Sequence, residues 1–66
     1  VQFVLNGEST EMSAGSTIQD VVNTMEVGTK RYAVECNEEI VPRSLHTKTA
    51  VQQGDQIEIV VAIGGG

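Results

Sequence analysis

The stretch from Gln56 to Ile63 limits the fold most. Ile57, Ile59, Val61 and Ile63 alternate along it, and the chain then runs directly into Gly64, Gly65 and Gly66. An apolar residue at every second position marks a β-strand with one face on a core. On the opposite face Val60 and Ala62 follow Glu58, so the second half is apolar on both sides. Whatever else forms must give this last strand a core to cover. At 66 residues there is room for a single domain, and one this small buries only about 60% of the surface its unfolded chain exposes. Little is left over for a catalytic cleft with a supporting shell, and an autonomous enzyme is not expected.

The other elements follow from local pattern. Val1 to Leu5 is apolar-rich and ends at Asn6-Gly7, a pair that accepts positive φ and favours a type I′ hairpin. The second arm is expected near Glu8–Met12, with Phe3, Leu5, Thr10 and Met12 facing inward. Ile18, Val21, Val22 and Met25 fall at i, i+3, i+4 and i+7, one face of a helix over roughly 17–27. Ser16 with Gln19, or Thr17 with Asp20, supplies a capping box, and Gly28 suits a left-handed stop. Tyr32 to Asn37 reads as a third strand with Val34 and Cys36 on one side. Asn37-Glu38-Glu39 reads as a turn. Ile40-Val41-Pro42 is an edge piece, because Pro42 cannot donate to a ladder. A helical turn over Arg43–Thr47 would point Leu45 inward. Ala50-Val51 is a further short strand, and Gly54-Asp55 turns the chain into the last one. Two strands, a helix and further strands make an α+β unit, a mixed sheet of four to five strands packed on one helix. This resembles the β-grasp, or ubiquitin-like, pattern, with a carrier domain over 1–63 and a flexible tail over 64–66.

Charge and chemistry narrow the function. Four Lys and Arg against nine Asp and Glu give a net charge of −5, which repels phosphate backbones and anionic membranes. A basic protein surface is the natural partner, although the same charge also serves solubility. Cys36 is the only cysteine and His46 the only histidine, so no internal disulfide, metal site or catalytic triad is expected to assemble. Cys36 reads as a small core residue, His46 as an exposed loop residue, and Glu38-Glu39 as a solvated turn. No leader and no run of about 18 apolar residues is evident, and a reducing cytoplasm is expected.

The glycine tail is where chemistry can reside. Lacking Cβ atoms, it is able to thread a narrow channel and adopt dihedrals closed to other residues. A carboxylate is a poor electrophile until joined to a good leaving group such as AMP, after which a nucleophile takes its carbonyl carbon. Nothing in the chain binds ATP, so activation belongs to a partner.

Four features together resemble the sulfur carrier proteins of thiamin biosynthesis: Asn6-Gly7-Glu8 closing the first strand; Thr17 opening the helix; Asn37 followed by Ile40-Val41-Pro42-Arg43; and Gly54-Asp55-Gln56-Ile57-Glu58-Ile59 leading to Gly64-Gly65-Gly66. The resemblance implies an adenylating enzyme that activates Gly66 with ATP and magnesium, a sulfur-delivering protein that yields a thiocarboxylate, and thiazole synthase as the sulfur acceptor. Gly65 and Gly66 carry over as the tail entering both enzymes, with Gly64 before them. The carrier itself would bind no cofactor, act as a cosubstrate rather than an enzyme, and be a monomer when free. Val60, Ala62 and Val4 are candidate docking surface, with ordinary sheet surface as the alternative. Arg43 is a candidate for pairing either with an acidic partner residue or within the fold. The small subunit of molybdopterin synthase and a lysine-conjugating modifier share such tails and stand as alternatives. Cys36 replaces the aliphatic residue more usual in the carriers.

Overall fold

A computed structural model describes residues 1–62. The tail residues 64–66 and the expected inward position of Ile63 lie outside them. Five strands, β1 (Gln2–Leu5), β2 (Glu8–Glu11), β3 (Tyr32–Cys36), β4 (Glu39–Ile40) and β5 (Gln56–Val61), form one sheet in the order β2-β1-β5-β3-β4. One helix, α1 (Ile18–Asn23), covers it. All neighbours are antiparallel except β1 and β5, which run parallel. The strand with apolar residues on both faces is therefore the central one.

The first hairpin is as tight as its sequence implies. Leu5 pairs with Glu8, and Asn6 and Gly7 between them have φ of 50° and 84°. Both left-handed, these dihedrals give the I′ twist that matches the flanking strands. The second hairpin repeats the device: Cys36 pairs with Glu39, and Asn37 and Glu38 have φ of 53° and 69°. Glu39 thus belongs to β4 rather than to the turn. The Val41 N–H donates to the Val34 carbonyl at 2.9 Å, and Pro42 then ends the edge.

Phe3, Ile18, Val21, Val22, Val34, Val51, Ile57 and Ile59 form the buried core. Thr17 caps α1: its hydroxyl accepts from the Asp20 N–H, and the Asp20 carboxylate accepts from the Thr17 N–H at 2.8 Å. Of the two capping boxes the sequence offers, the chain uses this one. The helix stops at Asn23 instead of near residue 27. Thr24 and Met25 N–H groups reach back three residues, to Val21 and Val22, and the Thr24 hydroxyl also donates to the Val21 carbonyl at 2.7 Å. Such tightening ends a helix, and Glu26, at φ 54°, takes the left-handed position ahead of Gly28. Met25 and Val27 still pack on the core.

Three further expectations change. Ala50 makes an isolated antiparallel bridge to Thr17 rather than a strand, with the Val51 N–H donating to the Ser16 carbonyl at 2.8 Å. Cys36 is only half-buried, at the margin of the core. Leu45 and His46 exchange places: Leu45 is 44% exposed and His46 only 2%. The segment Arg43–Leu45 is a 3₁₀ turn, whose period of three puts Arg43 and His46 on one side. Both meet the Tyr32 ring, the guanidinium at 4.5 Å from its centroid and the imidazole at 5.8 Å centroid to centroid. His46 Nε2 lies 2.8 Å from the Val41 carbonyl, to which it donates, and Nδ1 is buried without a partner.

Candidate functional site

The site is built around β5, the strand that precedes Gly64, Gly65 and Gly66 in the sequence. On one side it pairs with β3 along its length, from Cys36–Ile57 to Tyr32–Val61, and the Ala62 N–H donates to the Arg31 carbonyl at 2.8 Å. On the other side its backbone pairing with β1 ends at Leu5–Ile57, where the Asn6 N–H donates to the Ile57 carbonyl at 2.9 Å. The Asn6 side chain then continues the ladder. Its Oδ1 accepts from the Ile59 N–H at 2.8 Å and its Nδ2 donates to the Ile59 carbonyl at 3.3 Å. A side-chain amide thereby takes the place of one more peptide of β1.

The start of β5 is tied down by a second asparagine. Asn37 Oδ1 accepts from the Gln56 N–H at 2.9 Å, and Asn37 Nδ2 donates to Asp55 Oδ1 at 3.1 Å. Asp55 Oδ2 accepts in turn from the Gln52 N–H at 2.8 Å. Asn6, Asn37 and Asp55, all within the stretches that carry the family resemblance, are thus the residues that fix the strand behind the tail. Composition and spacing indicate turns at these positions; the long-range bonds become legible only once the strands are paired.

Among the described residues, no element covers the outward face of the sheet. Val60, 63% exposed, pairs with Ala33, and Ala62 follows it, also exposed. Val4 lies on the same face but is half-buried and pairs with Gln56 and Ser9. Gln56 and Val60 are four positions apart on β5, about 13 Å along an extended chain. The structure therefore brings Val60 and Ala62 together with Ala33 but leaves Val4 apart. Sequence reading missed Ala33, and also Ile40, 64% exposed and paired with Glu35 on this face. Arg43 is elsewhere, over Tyr32, whose strand position pairs with Val61 and whose ring packs at the core edge.

His46 is buried, and the surroundings of Cys36 oppose its ionisation. Partial burial pushes the Cys36 thiol above the ordinary thiol value of 9.0, and the Asp55 and Glu39 carboxylates act in the same direction. A thiol held protonated is a weak nucleophile. Among the described residues no group of three or more His, Cys, Asp or Glu side chains is placed to hold a metal ion, and no helix is long and apolar enough to cross a membrane.

Comparison with known proteins gives the family and the fold. The model of the ThiS family matches residues 3–66. The sulfur carrier protein ThiS of Escherichia coli is 30% identical over the whole of both chains. A thiazole synthase of Paramagnetospirillum magneticum is 42% identical over all 66 residues, and the chain spans about a fifth of the length of this and the other thiazole synthase it matches. Among solved structures, the thiamine biosynthesis protein ThiS of Geobacter metallireducens superimposes with a TM-score of 0.75 at 24% identity, covering both chains fully. The fold is the β-grasp.

Proposed function

The chain belongs to the ThiS family, and from that premise we propose that it is a sulfur carrier for thiamin biosynthesis whose Gly66 carboxylate is the atom group passed between partner enzymes. The observation that carries this reading is that the family match continues through residue 66, so the glycine tail is part of the likeness rather than an appendage to it.

The chemistry follows from what the chain has and lacks. An adenylating partner uses ATP and magnesium to join AMP to the Gly66 carboxylate, releasing pyrophosphate. The terminal sulfur of a persulfide on a delivering protein attacks the acyl carbon and AMP leaves with the bonding electrons, giving an acyl disulfide. A second thiol attacks the delivering protein's sulfur, the S–S bond breaks to form a disulfide between the two thiols, and the thiocarboxylate leaves, whose sulfur is the nucleophile that thiazole synthase consumes. The thiazole synthase relatives support that last partner, since each contains a stretch like this chain. Gly64 and Gly65 let the tail enter both active sites. Ile63 to Gly66, four residues, can span at most about 13–14 Å, which limits how deep those sites lie below the docked sheet. Val60 and Ala62 seat against the partner, Val4 extends the same face, and Arg43 meets an acidic residue beside the tail's entrance. The carrier binds no cofactor itself, is a monomer when free, and works in the cytoplasm away from nucleic acid and membrane, in keeping with its charge of −5.

Complementation tests the pathway. In a bacterium deleted for its own thiamin sulfur carrier, the chain restores growth without added thiazole, and the same chain lacking Gly66 does not. Rescue of molybdenum-cofactor synthesis instead would assign the tail to molybdopterin.

A further inference from the structure

Asn6 is the one asparagine of the chain that glycine follows; Asn23 precedes Thr24 and Asn37 precedes Glu38. An asparagine loses its side-chain amide when the backbone nitrogen of the next residue attacks its Cγ. Glycine, with no Cβ, leaves that nitrogen least hindered and its backbone free to bend toward the side chain. Asn6 and Gly7 are both exposed, and beyond its chain neighbours no heavy atom lies within 4 Å of where a Gly7 side chain would begin. Water and hydroxide therefore reach the turn. What the fold withholds is the geometry of attack. The Asn6 side chain does not fold back on its own backbone but reaches across to β5, with Oδ1 2.8 Å from the Ile59 nitrogen and Nδ2 3.3 Å from the Ile59 carbonyl oxygen.

We propose that Asn6 is a deamidation site gated by its hold on Ile59, and that the reaction, once it occurs, loosens β5. When the amide releases Ile59, the Gly7 nitrogen gives its proton to hydroxide and its electron pair to Asn6 Cγ. The Cγ–Nδ2 bond breaks, and the departing nitrogen takes a proton from water and leaves as ammonia. A second water opens the resulting succinimide: attack at Cγ gives aspartate, and attack at the main-chain carbonyl gives isoaspartate. Each product adds one negative charge, and neither restores the contact. A carboxylate has no N–H for the Ile59 carbonyl and sets a second acceptor oxygen against it. Isoaspartate also adds a methylene to the backbone of the tight turn that sets Leu5 opposite Glu8. Backbone pairing between β1 and β5 reaches only Leu5–Ile57, so on this side the Asn6 amide is what holds Ile59.

The test follows wild type by intact mass and peptide mapping in mildly alkaline buffer, with and without enough guanidinium chloride to unfold it. Asn6 deamidates at least about tenfold faster in the unfolded chain, because in the folded one only the locally open population reacts. It reacts ahead of Asn23 and Asn37 in both. Asn6→Asp reproduces one product. In that variant amide exchange at Ile59 rises about tenfold, while exchange at Gln56, whose N–H is held by Asn37, changes by less than about twofold. Equal rates in the folded and unfolded chains, or first reaction at another asparagine, would overturn the gated site. Unchanged exchange at Ile59 in Asn6→Asp would overturn the loosening of β5. The rate comparison uses wild type alone, so it decides the site whether or not the variant folds. None of these measurements depends on the sulfur-carrier reading.

Discussion

Several side chains in this chain do something other than their residue type suggests. His46, the only histidine, looks like a loop residue with a polar ring, yet it is 2% exposed and fills the space beside Tyr32. The period of the turn decides this. Counted as an α-helix, Leu45 points inward; counted as a 3₁₀ turn, His46 does, with Arg43 exposed on the same side over Tyr32. Cys36 likewise sits at the core margin instead of inside it, with Asp55 and Glu39 close enough to oppose ionisation. Its folded pKa lies above the unfolded one, so the folded state holds this proton to higher pH. The associated stability is complete below the unfolded pKa and is lost as pH rises from there through the folded value. In urea titrations between about pH 8 and pH 10.5, wild type loses more stability than Cys36→Ala as pH rises through the thiol range. Parallel curves for the two proteins would contradict the account.

At the scale of elements, β5 is the part on which the rest depends, and Asn6 shows how it is held. The hairpin signal Asn6-Gly7 is visible in the sequence, and the turn it forms is the expected one. Its second role is not visible, because the partner, Ile59, is 53 residues away and the pairing exists only after β1 and β5 align. Asn6→Gly separates the two roles: it keeps the positive φ and removes the amide. The variant is expected to lose about 1–3 kcal/mol, from two hydrogen bonds and added backbone freedom, with faster amide exchange at Ile59 before any other residue of β5. No change in the urea midpoint would mean that the amide contributes nothing. The helix was legible for a comparable reason: its apolar face and capping box are local. Its end was not, since the Thr24 hydroxyl and the left-handed Glu26 override the glycine that marks the stop. The open face of the sheet was half legible. Alternation exposes Val60 and Ala62, but only the strand register adds Ala33 and Ile40, opposes Glu35 to Glu58, and sets Val4 apart.

The whole molecule is asymmetric in a way that suits a carrier. One face of the sheet is spent on α1 and the core, and the other is left open, acidic at Glu35 and Glu58 and apolar at Val60 and Ala33. In sequence, the glycines follow β5. In the proposed reading the domain supplies the surface by which partners take hold, and Gly66 the reacting group. The central claim is that sulfur is loaded on Gly66 and nowhere else. It is tested most directly by intact mass after incubation with the adenylating enzyme, ATP, magnesium and a sulfur source. The account predicts replacement of one oxygen by sulfur at Gly66 in wild type and in Cys36→Ala, and no gain in the chain lacking Gly66. A truncated chain that still gains sulfur, or a Cys36→Ala variant that fails to, would contradict it.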